Sequence, residues 1–177
     1  MYAYLLSALP SFELDDEPPM TLAELLERCR GFVPDAELAA LRDPESAANG
    51  TGAAAAVARR WRDAERQLRN GVVRRRAPFW QLEAADHMQT HAGFRAMIEE
   101  GVAHAFEASD PQARQRELDM LRWQLLDELA GPVPWGFSAL FAYSQRLRLA
   151  REWAAREASA GRDALGRVLD TVEEQHG

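Results

Sequence analysis

Asp110-Pro111, then Leu118, Leu121, Leu125 and Leu129, then Gly131-Pro132-Val133-Pro134, constrain this chain more than any other feature. An Asp side chain accepts a hydrogen bond from the free N–H groups at a helix start, and Pro fits the first helical position. Leucines three and four residues apart fall on one stripe of a helix. Gly and two prolines stop it. A helix over residues 110–129 with one apolar stripe has to be covered by other helices, and the rest of the chain supplies them.

Thr21 and Glu24 form a capping-box pattern ahead of Leu22, Leu25 and Leu26, with Gly31 as the stop. A second short helix starts after Pro34, with Leu38 and Leu41 on one face. Residues 43–52, with Pro44, Asn49, Gly50 and Gly52, read as a surface loop. Residues 53–70 have strong helix propensity and a thin apolar face of Val57, Trp61, Ala64 and Leu68; Gly71 loosens their end and Pro78 interrupts the chain beyond it. A helix is expected over residues 83–108, carrying Met88, Phe94, Met97, Ile98, Val102 and Phe106, with Gly93 and Gly101 as points of weakness. A last long helix starts near Phe137 and passes Trp153; Gly161 divides it from a C-terminal helix bearing Leu165, Val168, Leu169 and Val172. Residues 2–9 fit either a short extended segment or the first turns of a buried helix, and residues 11–20 are a loop around Pro18-Pro19. The fold class is all-α: a multi-helix bundle with short connections, which favour antiparallel neighbours. Its 177 residues suffice for one helical domain, divisible into sub-bundles at residues 1–77 and 78–177.

A formal net charge of −7 argues against generic nucleic-acid binding. All 21 basic residues are Arg, which pairs with carboxylates through a two-pronged fork that Lys lacks. Cys29 is the sole cysteine, which excludes an internal disulfide and fits a reducing, cytoplasmic compartment. The apolar N-terminus lacks a basic flank and soon meets Pro10 and an acidic run, unlike a signal peptide. No stretch approaches the roughly 20 apolar residues of a membrane span, so any membrane association would run through partner subunits.

Catalytic patterns are sparse. Gly50-Thr51-Gly52 is a bare Gly-x-Gly with no Lys for a phosphate. On a helix, Glu83, His87 and His91 would share a face and offer ligands to a divalent cation, although the paired Glu-x-x-His motifs of di-iron bundles are absent. Glu13, Asp15, Asp16 and Glu17 lie in a proline-flanked loop without an apolar pocket, and Cys29 has no nearby His base. No catalytic residue, cofactor or metal is therefore expected. The arginines of residues 59–76, Arg69 and Arg75 among them, admit three readings: nucleic acid, pairing with the acidic N-terminal loop, or a docking face for an acidic partner. Trp123, off the leucine stripe, and Trp153, after Arg146, Arg148 and Arg151, suit either core packing or a Trp–Arg interface. Arg122 with Asp127 or Glu128, joined by Arg69 and Asn70, would form a polar network between helices or be completed by a partner.

Several blocks carry a resemblance. The opening Tyr2-Ala3-Tyr4-Leu5-Leu6-Ser7-Ala8-Leu9-Pro10-Ser11 with Asp15-Asp16-Glu17-Pro18-Pro19 resembles the start of a bacterial family of helical proteins of undefined function that accompany V-type ATPase subunits. Leu68-Arg69-Asn70 and Arg75-Arg76-Ala77 continue it. It is strongest at Leu121-Arg122-Trp123-Gln124-Leu125-Leu126-Asp127-Glu128-Leu129, and extends through the segment from Leu140 to Trp153 that contains Tyr143 and Arg151. That family is distantly similar to the C/d subunit of V/A-type ATPases, an all-helical adaptor between the membrane ring and the central shaft. The resemblance implies a non-catalytic structural or assembly component with rotary-ATPase subunits as partners, cytoplasmic or peripheral at the inner membrane through them. This chain is much shorter than the three-fold repeated C/d subunit, carries arginines at the family's lysines, and is trimmed after Asp43. The alternatives are a small helical metalloenzyme using Glu83, His87 and His91, or a stand-alone regulatory scaffold.

Overall fold

The computed structural model describes the backbone of residues 2–176 and the side chains of residues 2–159. Every regular element within them is helical. Where the N-terminus admitted an extended segment, it forms a helix, α1 (Tyr2–Ser7), whose Leu5 is buried. At Thr21 the capping box forms as the sequence predicts: the Thr21 hydroxyl accepts from the Glu24 N–H, and the Glu24 carboxylate accepts from the Thr21 N–H at 2.7 Å. Caps of this kind contribute about 1 kcal/mol. This one starts α2 (Leu22–Cys29), and α3 (Asp35–Arg42) comes next.

Residues 43–52 are not wholly loop. Asp43 accepts from the Ser46 N–H at 3.0 Å and starts a single turn, α4 (Pro44–Ala47). Next, α5 (Gly52–Arg76) continues well past Asn70. Gly71 does not loosen it, because a Cβ there would lie 3.2 Å from the nearest Val102 methyl. The glycine lets α5 approach α6 (Ala96–Ala105), which offsets the roughly 1 kcal/mol that Gly costs inside a helix.

The helix expected over residues 83–108 is α6 alone. Ahead of it lie two 3-10 turns, Ala77–Trp80 and Ala84–His87, and an irregular stretch through Gly93, whose φ is +75°. The cause is long-range. Gln67 and Asn70, on the buried face of α5, grip the backbone of this stretch through their side-chain amides. Asn70 donates to the Gln89 carbonyl at 2.7 Å and accepts from the Gln89 N–H at 2.8 Å. Gln67 does the same at Arg95, at 2.9 and 3.0 Å. Those backbone groups are satisfied without a helix, so local propensity loses.

α7 (Pro111–Ala130) begins at the Asp110 cap and Pro111 as expected, and Leu118, Leu121, Leu125 and Leu129 are all buried. α6 packs on one side of it and α8 (Phe137–His176) on another. At the α6 crossing Gly101 leaves no room for a Cβ, which would lie 2.8 Å from the Leu121 methyls. α8 runs without the division expected at Gly161, while the stripe of Leu165, Val168, Leu169 and Val172 lies outside the described side chains. One cluster of buried apolar side chains, from Leu5 to Trp153, takes members from both sides of residue 77.

Candidate functional site

Polar groups gather where α5, α7 and α8 meet. Asp119, nearly fully buried, shares a face of α7 with Arg122, one turn on. Arg122 Nη1 donates to Asp119 Oδ1 at 2.9 Å, and its Nε reaches across to Glu65 on α5 at 2.9 Å. Gln115 also donates to Oδ1, at 3.0 Å, and Arg156 of α8 donates to Oδ2 at 2.7 Å. Burial alone would lower the Arg122 pKa, but the adjoining Glu65 and Asp119 charges outweigh it and raise it. The cleft beside this group has a volume of about 420 Å³. Its chemistry is that of a clamp: both Asp119 oxygens are already accepting, and α5, α7 and α8 are tied through the Glu65 and Asp119 carboxylates and the arginines Arg122 and Arg156. A buried carboxylate is tolerated only with such partners.

This is not the network expected from the sequence. Asp127 and Glu128 lie on a different face of α7 from Arg122, and they pair elsewhere: Asp127 with Arg146, Glu128 with Arg95 at 3.0 Å. Asn70 holds the Gln89 backbone instead, and Arg69 is exposed. Glu65, Asp119, Arg156 and Gln67 are the members that sequence reasoning does not find. Asp119 does carry a local signal, since Gln115 and Arg122 lie at helical spacing on either side of it.

Trp123 is buried in a second cluster. Phe12 meets both Trp123 and Tyr143 edge to face, with ring centroids 5.6 and 5.3 Å apart. The Arg146 guanidinium lies 5.0 Å from the centre of the Trp123 ring, and the Tyr143 hydroxyl donates to the Pro10 carbonyl at 2.9 Å. Burial raises the Tyr143 pKa. The Leu-Pro-Ser opening, the Leu-Arg-Trp block and the Tyr143 segment, distant in sequence, thus meet in one place. Trp153 is core, and its indole N–H has no partner among the described residues. Arg148 donates to the carbonyls of Leu41 and Arg42 at the end of α3, leaving Arg151 exposed. Cys29 is buried, which pushes its thiol up to about 11.

The arginine-rich stretch divides in two. Among the described ion pairs none joins it to the acidic N-terminal loop, whose Asp15 is taken by Arg116. Arg62 donates to Asn49 at 2.8 Å, Arg66 pairs with Glu45 at 2.7 Å, and Arg74 pairs with Glu99. Burial would raise the Glu99 pKa, yet hydrogen bonds from Arg74 and Gln67 bring it below its ordinary value. Arg69, Arg75 and Arg76 are exposed and join none of the ion pairs among the described residues. Beside them stand Phe79 and Trp80, 83% and 74% exposed. Arg69, Val72, Val73, Arg76, Trp80 and Leu82 line a mainly apolar groove of about 360 Å³. Gln81, at a φ of +53°, turns the chain so that Trp80 and Leu82 both reach it.

Glu83, His87 and His91 do not share a helical face: His87 ends a 3-10 turn and His91 lies in the irregular stretch. Among the described residues no three His, Cys, Asp or Glu side chains gather as metal ligands. Nor is any described helix long and apolar enough to cross a membrane. No protein-family model, no curated protein and no solved structure matches the chain.

Proposed function

We propose that this protein is a non-catalytic structural or assembly component of a V-type ATPase, acting as a helical adaptor between rotor parts in the manner of the C/d subunit. The ordered sequence blocks that resemble the V-type-associated family support the setting. The observation that carries the adaptor role is the contrast in how Arg and aromatic side chains are used. Around Asp119 and Trp123 they are engaged within the fold. Around Trp80 they face outward with no described ion-pair partner, in the mixture of Trp and Arg that dominates binding energy at protein interfaces. The metalloenzyme alternative loses its premise with the helix that was to align Glu83, His87 and His91. A stand-alone scaffold would use the same surface with an unrelated partner.

The test is purification of the tagged protein from its native cell under gentle conditions, with mass spectrometry of the associated chains. Rotary subunits at near-stoichiometric yield are the expected result. A protein that stays monomeric at micromolar concentration beside purified shaft and ring subunits would sink the proposal.

A further inference from the structure

Among the described residues nine large apolar side chains are exposed, and five of them fall between Phe79 and Phe94. A contiguous apolar patch marks a contact surface, whereas single exposed apolar residues do not, and of these five Trp80 and Leu82 share one groove while Phe94 lies at a separate cleft beside Arg60 and Asp63. The mainly apolar groove lies between the end of α5 and the turn at Trp80. Along α5 the groove reads Arg69, then Val72 and Val73, then Arg76: cation, apolar floor, cation. The two arginines are two helical turns apart, about 10 Å along the axis at roughly 1.5 Å per residue.

We infer that this groove docks an acidic helix of a partner protein, with carboxylates two turns apart meeting Arg69 and Arg76 and an apolar side chain between them seated against Val72, Trp80 and Leu82. Charge complementarity selects this occupant, because guanidiniums recognise carboxylates through paired hydrogen bonds. The acidic N-terminal loop of a second copy of this chain is a poor candidate. That loop has Leu14 buried, Phe12 packed on Trp123 and Tyr143, and Asp15 paired with Arg116, so no apolar anchor is available there. An anionic membrane would also attract arginine and tryptophan. The placing of Arg69 and Arg76 on one helix with Val72 and Val73 between them favours a protein helix with matching carboxylates, and crosslinks to lipid would instead assign the surface to a membrane. The turn is held ready: Gln67 and Asn70 fix the backbone beyond it, at Arg95 and Gln89. The inference rests on the adaptor reading only in requiring a protein partner.

The experiment places a benzoylphenylalanine photo-crosslinker at Phe79 in the full chain in its native cell, with the same probe at exposed Gln112 as control. The expected result is crosslinking to one protein, in peptides with acidic residues two helical turns apart around a Leu, Ile, Phe or Met. The double variant Arg69→Glu/Arg76→Glu should lower that yield about tenfold or more, with the circular dichroism spectrum and melting temperature unchanged. Crosslinks to lipid, to a second copy, or to segments without net negative charge overturn the inference, as does a yield no higher than at Gln112. If the acidic segment belongs to a protein unrelated to rotary ATPases, the docking inference stands and the ATPase setting falls.

Discussion

The α5–α7–α8 junction and the turn at Trp80 are built from the same residue types and use them in opposite ways. At the junction Arg122 and Arg156 converge on one buried carboxylate, and farther along α7 the guanidinium of Arg146, from α8, lies over Trp123 while pairing with Asp127. At the turn, Arg69, Arg75 and Arg76 sit beside Trp80 and Phe79 with no described ion-pair partner. The junction converts arginine into geometry, fixing how α5, α7 and α8 sit. The turn leaves it available. A residue's type therefore says little about its role here, and its neighbours across the fold decide.

If the two regions differ in this way, substitutions within the packed helices should do the most damage. Trp153→Ala should cost about 3–5 kcal/mol in urea denaturation, as for other buried aromatics, whereas Trp153→Phe should cost much less because the indole N–H it removes has no described partner. Equal losses in both variants would mean that the N–H is satisfied in solution. Asp119→Ala should cost about 3 kcal/mol by removing the buried carboxylate that Arg122 and Arg156 share. A neutral outcome would show that the clamp adds no stability. Asn70→Ala should cost about 1–3 kcal/mol, the penalty for backbone groups left without partners. Hydrogen exchange should also accelerate at Gln89, and unchanged exchange there would refute the amide grip. A smaller effect is expected at Glu99. Its folded pKa lies below the ordinary 4.5, so its contribution is present above that value and is lost as the pH falls through the folded pKa. Glu99→Gln should flatten the acid limb of a stability-versus-pH curve, and an unaltered limb would contradict that linkage.

The parts of this fold governed by local rules are legible in the sequence. Asp110-Pro111, the Thr21–Glu24 box and the Leu118–Leu129 stripe appear as read because caps and periodicity act within a few residues. The stretch before α6 defeats that reading because its backbone partners, Gln67 and Asn70, lie on a different helix. Gly71 and Gly101 look like weak points and are close approaches, which only the neighbouring Val102 and Leu121 reveal. Arg122 does join a polar network, but its partners come from one turn earlier and from α5 rather than from Asp127 and Glu128. The sequence leaves Trp80, beside Pro78, open between core and surface, since exposure is a property of the folded chain.

The most direct test pairs stability with partner recovery in Phe79→Ala/Trp80→Ala. Both side chains are largely exposed, so the double variant should denature within about 0.5 kcal/mol of the parent protein. On purification from the native cell it should lose the rotary-ATPase subunits that accompany the parent. A variant that keeps those subunits in full, or a parent protein that brings none, would contradict an adaptor that docks through this turn.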